Sequence, residues 1–240
     1  MTAAPVLPAP APGLGDDAAV FRCHDLTRVY GTGPRAIVAV HDVDCAVWPG
    51  DRIALTGPSG SGKSTLVHLM AGLEQPSRGT MSWPGLGGNP TERRNLVGVV
   101  FQAPSLLDPL DVVENVELPL LLHGTAPDLA RRSGEEALDT LGLAGLAHRL
   151  PEELSGGQAQ RVAAARVLAG RPRLILADEP TGQLDHQTGD HLISVLLEAA
   201  HRLGAALVIA THDPAVADRM DQRWVMAQGR LTNNAREGVS

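Results

Sequence analysis

Apolar and polar residues follow two different patterns along the chain, and each pattern predicts a different kind of strand. From Val20 to Trp48, the stretches VFRCHDLTRVY and AIVAVHDVDCAVW alternate between apolar and polar positions, which is typical of antiparallel strands. Further along, DRIALTG, LVGVVFQ, RLILADEP and AALVIATHD are short and almost continuously apolar, which indicates strands buried on both faces of a parallel sheet. Longer helical stretches, such as KSTLVHLMAGL and DHQTGDHLISVLLEAAHRLG, lie between these strands.

The order of these elements predicts an α/β fold with three parts. Strand–helix alternation indicates a core with a parallel sheet, and the first alternating strands form an N-terminal antiparallel β lobe. Helical stretches between about Asp111 and Gln158 interrupt the alternation, which predicts an inserted helical subdomain at about 103–160. RGTMSW favours another short strand, PGLGGNPTERRN a loop, and RWVMAQGRL a last strand. We expect one domain over 19–232, a disordered Pro/Ala-rich extension at 1–18 and a flexible tail at 233–240.

Composition and charge narrow the function classes. The formal net charge of −7 disfavours a general nucleic-acid-binding surface. The apolar runs are strand-sized, far below the roughly 20 residues that a membrane-spanning helix needs. The N-terminus has neither the basic start nor the apolar block of a signal peptide. Cys23 and Cys45 lack metal-ligand spacing and are interpreted as reduced thiols in strands of a cytosolic protein.

The use of cations along the chain singles out one position. The sequence contains nineteen arginines and one lysine, Lys63. Arginine presents a planar fork of donors, whereas lysine is a compact charge on a flexible stem. Position 63 therefore needs a point charge that arginine cannot supply.

That lysine lies in a phosphate-binding motif. The stretch GPSGSGKST satisfies the pattern G-x-x-x-x-G-K-[ST] and has a predicted strand before it and a predicted helix after it. In such a loop the backbone N–H groups surround phosphate oxygens, the lysine reaches the β- and γ-phosphates, and the Ser64 hydroxyl holds Mg²⁺. The predicted ATP-binding residues of this loop are Gly57, Pro58, Ser59, Gly60, Ser61, Gly62, Lys63, Ser64 and Thr65.

Polar residues at the ends of three other predicted strands extend the candidate site. After RLILA, Asp178 is predicted to hold Mg²⁺ and Glu179 to polarise the attacking water as general base. Gln102 ends LVGVVFQ and could contact Mg²⁺ and the water, although a glutamine in a loop is often only a solvated polar residue. His212 follows ALVIAT and could donate to the γ-phosphate, although a single histidine is more often structural.

A second helix start also has the composition of an anion-binding site. In LSGGQAQR, small residues precede the helical run RVAAARVLAG, so free backbone N–H groups and the positive end of the helix dipole face outward. A single phosphate group does not require two such helix starts from one chain.

Taken together, these motifs resemble the ATP-binding cassette subunits of ABC transporters. GPSGSGKST is similar to their Walker A motif, VVFQ to the Q-loop, LSGGQ to the signature, LILADEP to Walker B, TGQLD to the D-loop and ATHD to the switch histidine. The motifs appear in the family order from about residue 20 to 231, nearly the whole chain. The resemblance implies that Glu179, His212 and Gln102 are catalytic, that Ser64, Gln102 and Asp178 bind Mg²⁺, and that Tyr30 stacks on adenine.

The resemblance also accounts for the second helix start. In this family the signature faces the γ-phosphate of an ATP held by the Walker A motif of a second cassette. It implies a head-to-tail dimer, here a homodimer, around two ATP molecules. The residues that would act on the partner's ATP are Ser155, Gly156, Gly157, Gln158 and Asp185.

Within the family, the stretches SLLDPLDVVENVELPLLLHG and ADEPTGQLD resemble the branch with lipoprotein-release, macrolide-export and FtsE-type division ATPases. That branch implies an integral membrane permease as partner, a location on the cytoplasmic face of the membrane, and no nucleic-acid ligand. Ala159, Gln183 and the short Gly/Pro-rich segment between Gly79 and Gln102 depart from the branch pattern. The open alternatives are a soluble ABC-type ATPase of DNA repair or translation, a division-linked ATPase without transport, and a non-hydrolysing regulatory cassette.

Overall fold

The computed structural model describes residues 16–90 and 95–233. Its first part is a three-stranded antiparallel sheet with the strand order β2-β1-β4. The strands are β1 (Phe21–Tyr30), β2 (Ile37–Val47) and β4 (Arg78–Ser82). Phe21 pairs with Val47 and Leu26 with Val43, so the alternating apolar residues of both strands meet on one face of the lobe.

The second sheet has six strands and forms the centre of the molecule. Its strand order is β5-β6-β7-β3-β8-β9, with parallel pairing everywhere except between the last two strands. The strands are β3 (Arg52–Thr56), β5 (Val97–Val100), β6 (Leu174–Asp178), β7 (Ala206–Ala210), β8 (Gln222–Ala227) and β9 (Arg230–Asn233). All residues of β6 and β7 are buried, as expected for central strands covered on both faces.

Six α-helices connect and cover these strands. They are α1 (Lys63–Met70), α2 (Val112–Leu122), α3 (Pro127–Thr140), α4 (Gly156–Ala169), α5 (His186–Leu203) and α6 (Pro214–Ala217), the count referring to the described part of the chain. Helix α2 begins with a capping box in which Asp111 and Glu114 bond to each other's backbone N–H groups. Helix α5 begins at the cap residue Asp185 and ends at Gly204, whose φ of 61° suits glycine.

Two apolar cores lie on opposite faces of the six-stranded sheet. Leu174 and Leu176 of β6 belong to the core shared with the antiparallel lobe and α1. Ile175 and Ala177, the alternate residues of the same strand, belong to the core shared with α2, α3, α4 and α5. The helices inserted between β5 and β6 are therefore packed on the sheet face opposite the lobe.

The predicted α/β architecture, with a parallel sheet, an antiparallel lobe and inserted helices, is confirmed. The single strand predicted at RWVMAQGRL is wrong, because β8 and β9 form a hairpin that turns at Gln228 and Gly229, both with positive φ. Asp16–Ala18 form a short 3-10 turn at the end of the predicted disordered extension. Residues 1–15 and 234–240 of the two predicted termini lie outside the described residues.

The two cysteines face each other across β1 and β2, in agreement with the prediction of free thiols in strands. Both are buried, and their Sγ atoms are 3.4 Å apart. The contact with Cys23, together with burial, raises the pKa of the Cys45 thiol well above its ordinary value.

Candidate functional site

The candidate site lies at the carboxyl edge of four neighbouring parallel strands. The loop at 57–62 follows β3, Gln102 follows β5, and Asp178 ends β6, with Glu179 directly after it. His212 lies two residues beyond β7, which is hydrogen-bonded to both β3 and β6. The edge where parallel strands end is the usual ligand-binding position of such sheets, and it brings together residues far apart in sequence.

The loop before α1 can be built only with glycines at its two ends. Gly57 and Gly62 have φ values of 145° and 103°, which other residues rarely adopt. A Cβ on Gly57 would lie 2.2 Å from the Met226 carbonyl oxygen, and one on Gly62 would lie 2.1 Å from that of Ala39. Since Gly62 caps α1 without a side chain, the first amides of the helix are left available for an anion.

Lys63 is the first residue of α1 and is almost fully buried, with 7% of its surface exposed. Its Nζ atom donates to the carbonyl oxygens of Gly57 at 2.9 Å and Pro58 at 3.2 Å, within the same loop. The ammonium group is also 3.8 Å from Oε1 of Glu179. The only lysine of the chain thus connects the phosphate-type loop with the carboxylate that follows β6.

Glu179 is held from two sides. Its other carboxylate oxygen, Oε2, lies 2.8 Å from Nδ1 of the exposed His212, and its backbone N–H donates to the Ala210 carbonyl at 2.9 Å. The residue has a φ of 47°, a left-handed conformation that is uncommon for glutamate. Such strain persists where the surrounding structure enforces it, which is frequent in active sites.

The carboxylate of Asp178 is suited to a cation. The residue is buried, and its Oδ1 atom finds no hydrogen-bond partner among the residues that the structure describes. A buried carboxylate oxygen without a donor is costly unless a cation or water accompanies it. The residue set at this edge, a buried carboxylate together with the exposed Ser64 hydroxyl, supplies the oxygen ligands that Mg²⁺ prefers.

Gln102 and Tyr30 border this centre. The exposed Gln102 has its Nε2 atom 3.6 Å from the position that a Cβ on Gly182 would occupy, so its amide lies against the segment after Glu179. Tyr30 ends β1 and pairs with Ile37, two residues before the Ala39 carbonyl that contacts the loop. One face of its ring is covered by the Arg28 guanidinium, 4.6 Å from the ring centroid.

The LSGGQ segment forms the start of α4 as predicted. Oγ of Ser155 accepts from the Gln158 N–H at 3.2 Å, and Oε1 of Gln158 accepts from the Ser155 N–H at 2.8 Å. Because each side chain accepts from the other residue's backbone N–H, the two residues form a capping box that fixes the first turn. Ser155 and Gly156 themselves are exposed.

The segment around Asp185 adjoins that helix start. A Cβ on Gly157 would lie 3.2 Å from Cγ2 of Thr188 and 3.6 Å from Cδ2 of Leu184. Asp185 accepts from the Thr188 hydroxyl at 2.6 Å and its N–H at 3.0 Å, and these hydrogen bonds hold the pKa of the Asp185 carboxyl below its ordinary value. The signature and the predicted D-loop are therefore neighbours within one chain.

Three polar residues that the motif analysis did not select, two of them buried and Arg166 half-buried, also contact the segment that follows β5. Gln160 and Arg166 of α4 and Asn115 of α2 hydrogen-bond to backbone groups of residues 101–111. A signal for Gln160 is present in the sequence, since this amide lies two residues before the apolar run VAAA of α4. Its partner could not be deduced, because Phe101 is 59 residues away.

One further cluster of metal-ligating side chains occurs in the described part of the chain. His24, Asp25 and Asp44 present ligand atoms within 4.8 Å of one another on the surface of the lobe. His24 and Asp44 contact each other directly, so a hydrogen bond accounts for their proximity.

None of the helices in the two described ranges has both the length and the apolar character needed to cross a membrane. A glycine-rich lysine loop between a parallel strand and a helix, with carboxylates at the end of another strand of the same sheet, defines the P-loop nucleoside triphosphatases. The second helix start, at LSGGQ, restricts this class to the ATP-binding cassettes. Comparison with known proteins identifies the same family.

A model of the ABC transporter family matches residues 40–182. The lipoprotein-releasing system ATP-binding protein LolD of Bordetella pertussis (strain Tohama I) is 40% identical over 223 residues, which cover 90% of this chain and 96% of that protein. LolD of Gluconobacter oxydans (strain 621H) is 42% identical over 224 residues, covering 89% and 96%.

The fold agrees with solved structures of such cassettes. The dimeric structure of the cassette MJ0796 in a post-hydrolysis state with ADP and phosphate superposes with a TM-score of 0.84 at 31% identity. The match covers 92% of this chain and all of that one. The chain belongs to the ABC transporter family, as an ATP-binding cassette with ATPase activity.

Proposed function

We propose that this chain is the ATPase subunit of a lipoprotein-release type transporter, acting as a homodimer on the cytoplasmic face of the membrane. The observation that carries the proposal is the 40% identity to a lipoprotein-releasing system ATP-binding protein along 90% of this chain. That similarity accompanies a complete catalytic edge: phosphate loop, paired carboxylates, Gln102 and His212. The lipoprotein substrate would contact a separate membrane subunit and not this chain.

In the proposed site, the backbone amides of 57–65 and the Lys63 ammonium bind the phosphates of ATP. Glu179 accepts the proton of the attacking water, since a carboxylate held between Lys63 and His212 has its oxygens fixed in direction. His212 orients Glu179 through Nδ1, at the edge of the sheet where the γ-phosphate would bind. Tyr30 offers its uncovered face to adenine.

Mg²⁺ belongs to the same proposal. Asp178, Ser64 and Gln102 would hold the ion, and the orphaned Oδ1 atom of Asp178 is the structural reason to expect it. When bound, the ion would neutralise charge on the β- and γ-phosphates. Glu179, together with His212, holds the attacking water and accepts its proton.

The second half of each site is proposed to come from a partner chain. Ser155, Gly156, Gly157 and Gln158 form a rigid helix start with exposed backbone, and Asp185 lies beside it. These residues would face the γ-phosphate of the partner's ATP. Two copies then enclose two ATP molecules, so ATP stabilises the dimer and hydrolysis weakens it.

The inserted helices are proposed to contact the membrane permease. Leu107 is 46% exposed and Leu122 is 75% exposed, at the two ends of the segment that leads from Gln102 through α2. Leu106, by contrast, packs against the core shared with α2–α5. The exposed Leu107 and Leu122 therefore form the proposed contact surface for the permease, and Leu106 packs beneath it.

The experiment that tests the composite site combines two defective chains. Lys63→Ala removes the phosphate-loop cation, and Ser155→Arg blocks the signature while leaving its own loop intact. Each variant alone is expected to be inactive, whereas a mixture rebuilds one complete site in each mixed dimer. We expect partial recovery of ATPase activity that rises more steeply than linearly with protein concentration, because the site forms by association.

The controls determine how the mixture is interpreted. Cross-linking of differently tagged chains measures the fraction of mixed dimers, and the Ser155→Arg chain alone should still bind ATP. If mixed dimers form and stay inactive, a wild-type partner distinguishes two causes. Inactivity with that partner would mean that both shared sites must be complete before either works, whereas activity would mean that each chain carries its own complete site and would refute sites shared between chains.

A further inference from the structure

The segment that follows Gln102 is hydrogen-bonded to the helix that carries the signature. Nε2 of Gln160 donates to the Phe101 carbonyl oxygen at 2.8 Å, directly before Gln102. The Arg166 guanidinium donates to the Pro104 carbonyl at 3.1 Å and the Ser105 carbonyl at 3.0 Å, two and three residues after Gln102. Gln102 is thus bracketed by two attachments to α4.

These attachments are built into the fold. Gln160 is 3% exposed, and Ser105 has a φ of 48°, so the chain takes an unfavourable turn at the carbonyl that Arg166 binds. The Arg166 side chain is half-buried, and this burial lowers the pKa of its guanidinium from the ordinary value. Because the polar groups of Gln160 and, in part, of Arg166 are shielded from water, their hydrogen bonds hold the segment in place.

Both anchors lie on the same rigid helix as the signature. Arg166 is eleven residues after Ser155, about 16 Å along a helix that rises 1.5 Å per residue, and the capping box fixes the first turn. A displacement of the Gln102 segment therefore displaces Ser155, and the reverse also holds. In the proposed dimer, which this inference takes as its basis, those two groups serve different ATP molecules.

We propose that Arg166 is a positioning residue that couples the two ATP sites, by holding the Gln102 segment of one site to the signature helix that serves the other. Gln160 supports the same coupling from the Phe101 side. Asn115 fixes the later part of the segment to α2 through Leu107 and Leu110, so it does not replace the attachment to α4. Arg166 contacts backbone carbonyls of its own chain and not the nucleotide.

The test uses mixed dimers with one working site, in which each chain has a single role. The Lys63→Ala chain contributes the signature, and the Ser155→Arg chain contributes the phosphate loop and Gln102. Arg166→Lys is introduced into one chain at a time, and kcat, KM for ATP and melting temperature are measured. We expect kcat to fall about fivefold to tenfold in both arrangements, because the lysine keeps a charged donor but not the two-pronged contact. KM for ATP should stay constant.

Two further variants test whether the loss of kcat follows the number of hydrogen bonds that are removed. Arg166→Met, which removes both hydrogen bonds, should lower kcat more than Arg166→Lys, and Gln160→Met should act in the same direction. The matched control is Arg173→Lys, because Arg173 also donates to a backbone carbonyl, that of Gly85 at 2.8 Å, but at the other end of β6. It should leave kcat unchanged.

The possible outcomes separate this inference from the proposed function. If mixed dimers without a change at Arg166 are inactive while dimers with a wild-type partner are active, the shared-site proposal fails. If they are active and Arg166→Lys alters kcat in only one arrangement, Arg166 serves one site and the coupling is refuted. A lower melting temperature with kcat unchanged in both arrangements would assign Arg166 a purely structural role and would also overturn the inference.

Discussion

At the residue scale, the position of Lys63 fits the compact ammonium group of a lysine and not the larger guanidinium fork of an arginine. Its Nζ atom approaches two carbonyl oxygens of its own loop, those of Gly57 and Pro58, and lies near Glu179. The surrounding backbone is fixed by glycines whose missing side chains allow close contact with the strands behind them. An arginine fork would have to displace this backbone to reach the same place, which explains why a chain rich in arginine has lysine here.

Replacing Lys63 tests this account. Lys63→Ala should weaken ATP binding about tenfold or more, since a charge-assisted contact is worth roughly 1.5–3 kcal/mol. Lys63→Arg should fail as well, because the charge is kept but the shape is not. Nucleotide titration measures both, with Arg202→Ala on α5 as an exposed control that should bind normally. Normal affinity in Lys63→Ala would remove the loop from ATP binding.

At the scale of elements, the segment between β5 and α2 owes its shape to side chains from the two helices beside it. Asn115 of α2 accepts from the Leu107 N–H at 2.7 Å and donates to the carbonyls of Leu107 at 3.1 Å and Leu110 at 2.9 Å. With Arg166 and Gln160 of α4, this gives an irregular segment a defined conformation through side-chain hydrogen bonds to its backbone. A loop next to a catalytic edge thereby keeps a fixed position without being a strand or a helix.

Asn115→Ala is expected to destabilise the protein through this segment. The change leaves backbone groups of Leu107 and Leu110 without their buried partner, which costs roughly 1–3 kcal/mol of unfolding free energy. For a chain of this size each kcal/mol lowers the melting temperature by about 2–4 °C. Thermal unfolding measures the effect, and Arg132→Ala on the exposed side of α3 serves as a control with little change. Equal melting temperatures of the two variants would contradict the proposed role of the amide.

At the scale of the whole molecule, the two anion-type helix starts have different surroundings. The start of α1 is enclosed by β2, the β8–β9 hairpin and Glu179. The start of α4 is exposed and adjoins the Asp185 segment. This difference supports the proposal that each chain binds one ATP in the enclosed site and completes a second ATP site on its partner.

Glu179→Gln should convert this association into a stable one. The variant keeps the size of the side chain and loses the base, so hydrolysis should fall about 10²–10⁴-fold, the usual contribution of such a group. With ATP and Mg²⁺, size-exclusion chromatography should show a dimer for the variant and mainly monomer for the wild type. Glu198→Gln, on the exposed face of α5, should behave as wild type. A normal hydrolysis rate in Glu179→Gln would exclude the residue as general base.

The sequence by itself predicted the strands from β1 to β7, the inserted helices, the family and the candidate residues of the site. These are local properties, because apolar period and motif spacing depend on neighbours along the chain. Only the tertiary structure decided the β8–β9 hairpin, the Lys63–Glu179–His212 chain of contacts, and the attachment of the Gln102 segment to α4. Gln160 and Phe101 are 59 residues apart, and Lys63 and Glu179 are separated by half of the chain. No periodicity encodes such pairs, since the folding of the sheet and the packing of helices on it bring them together.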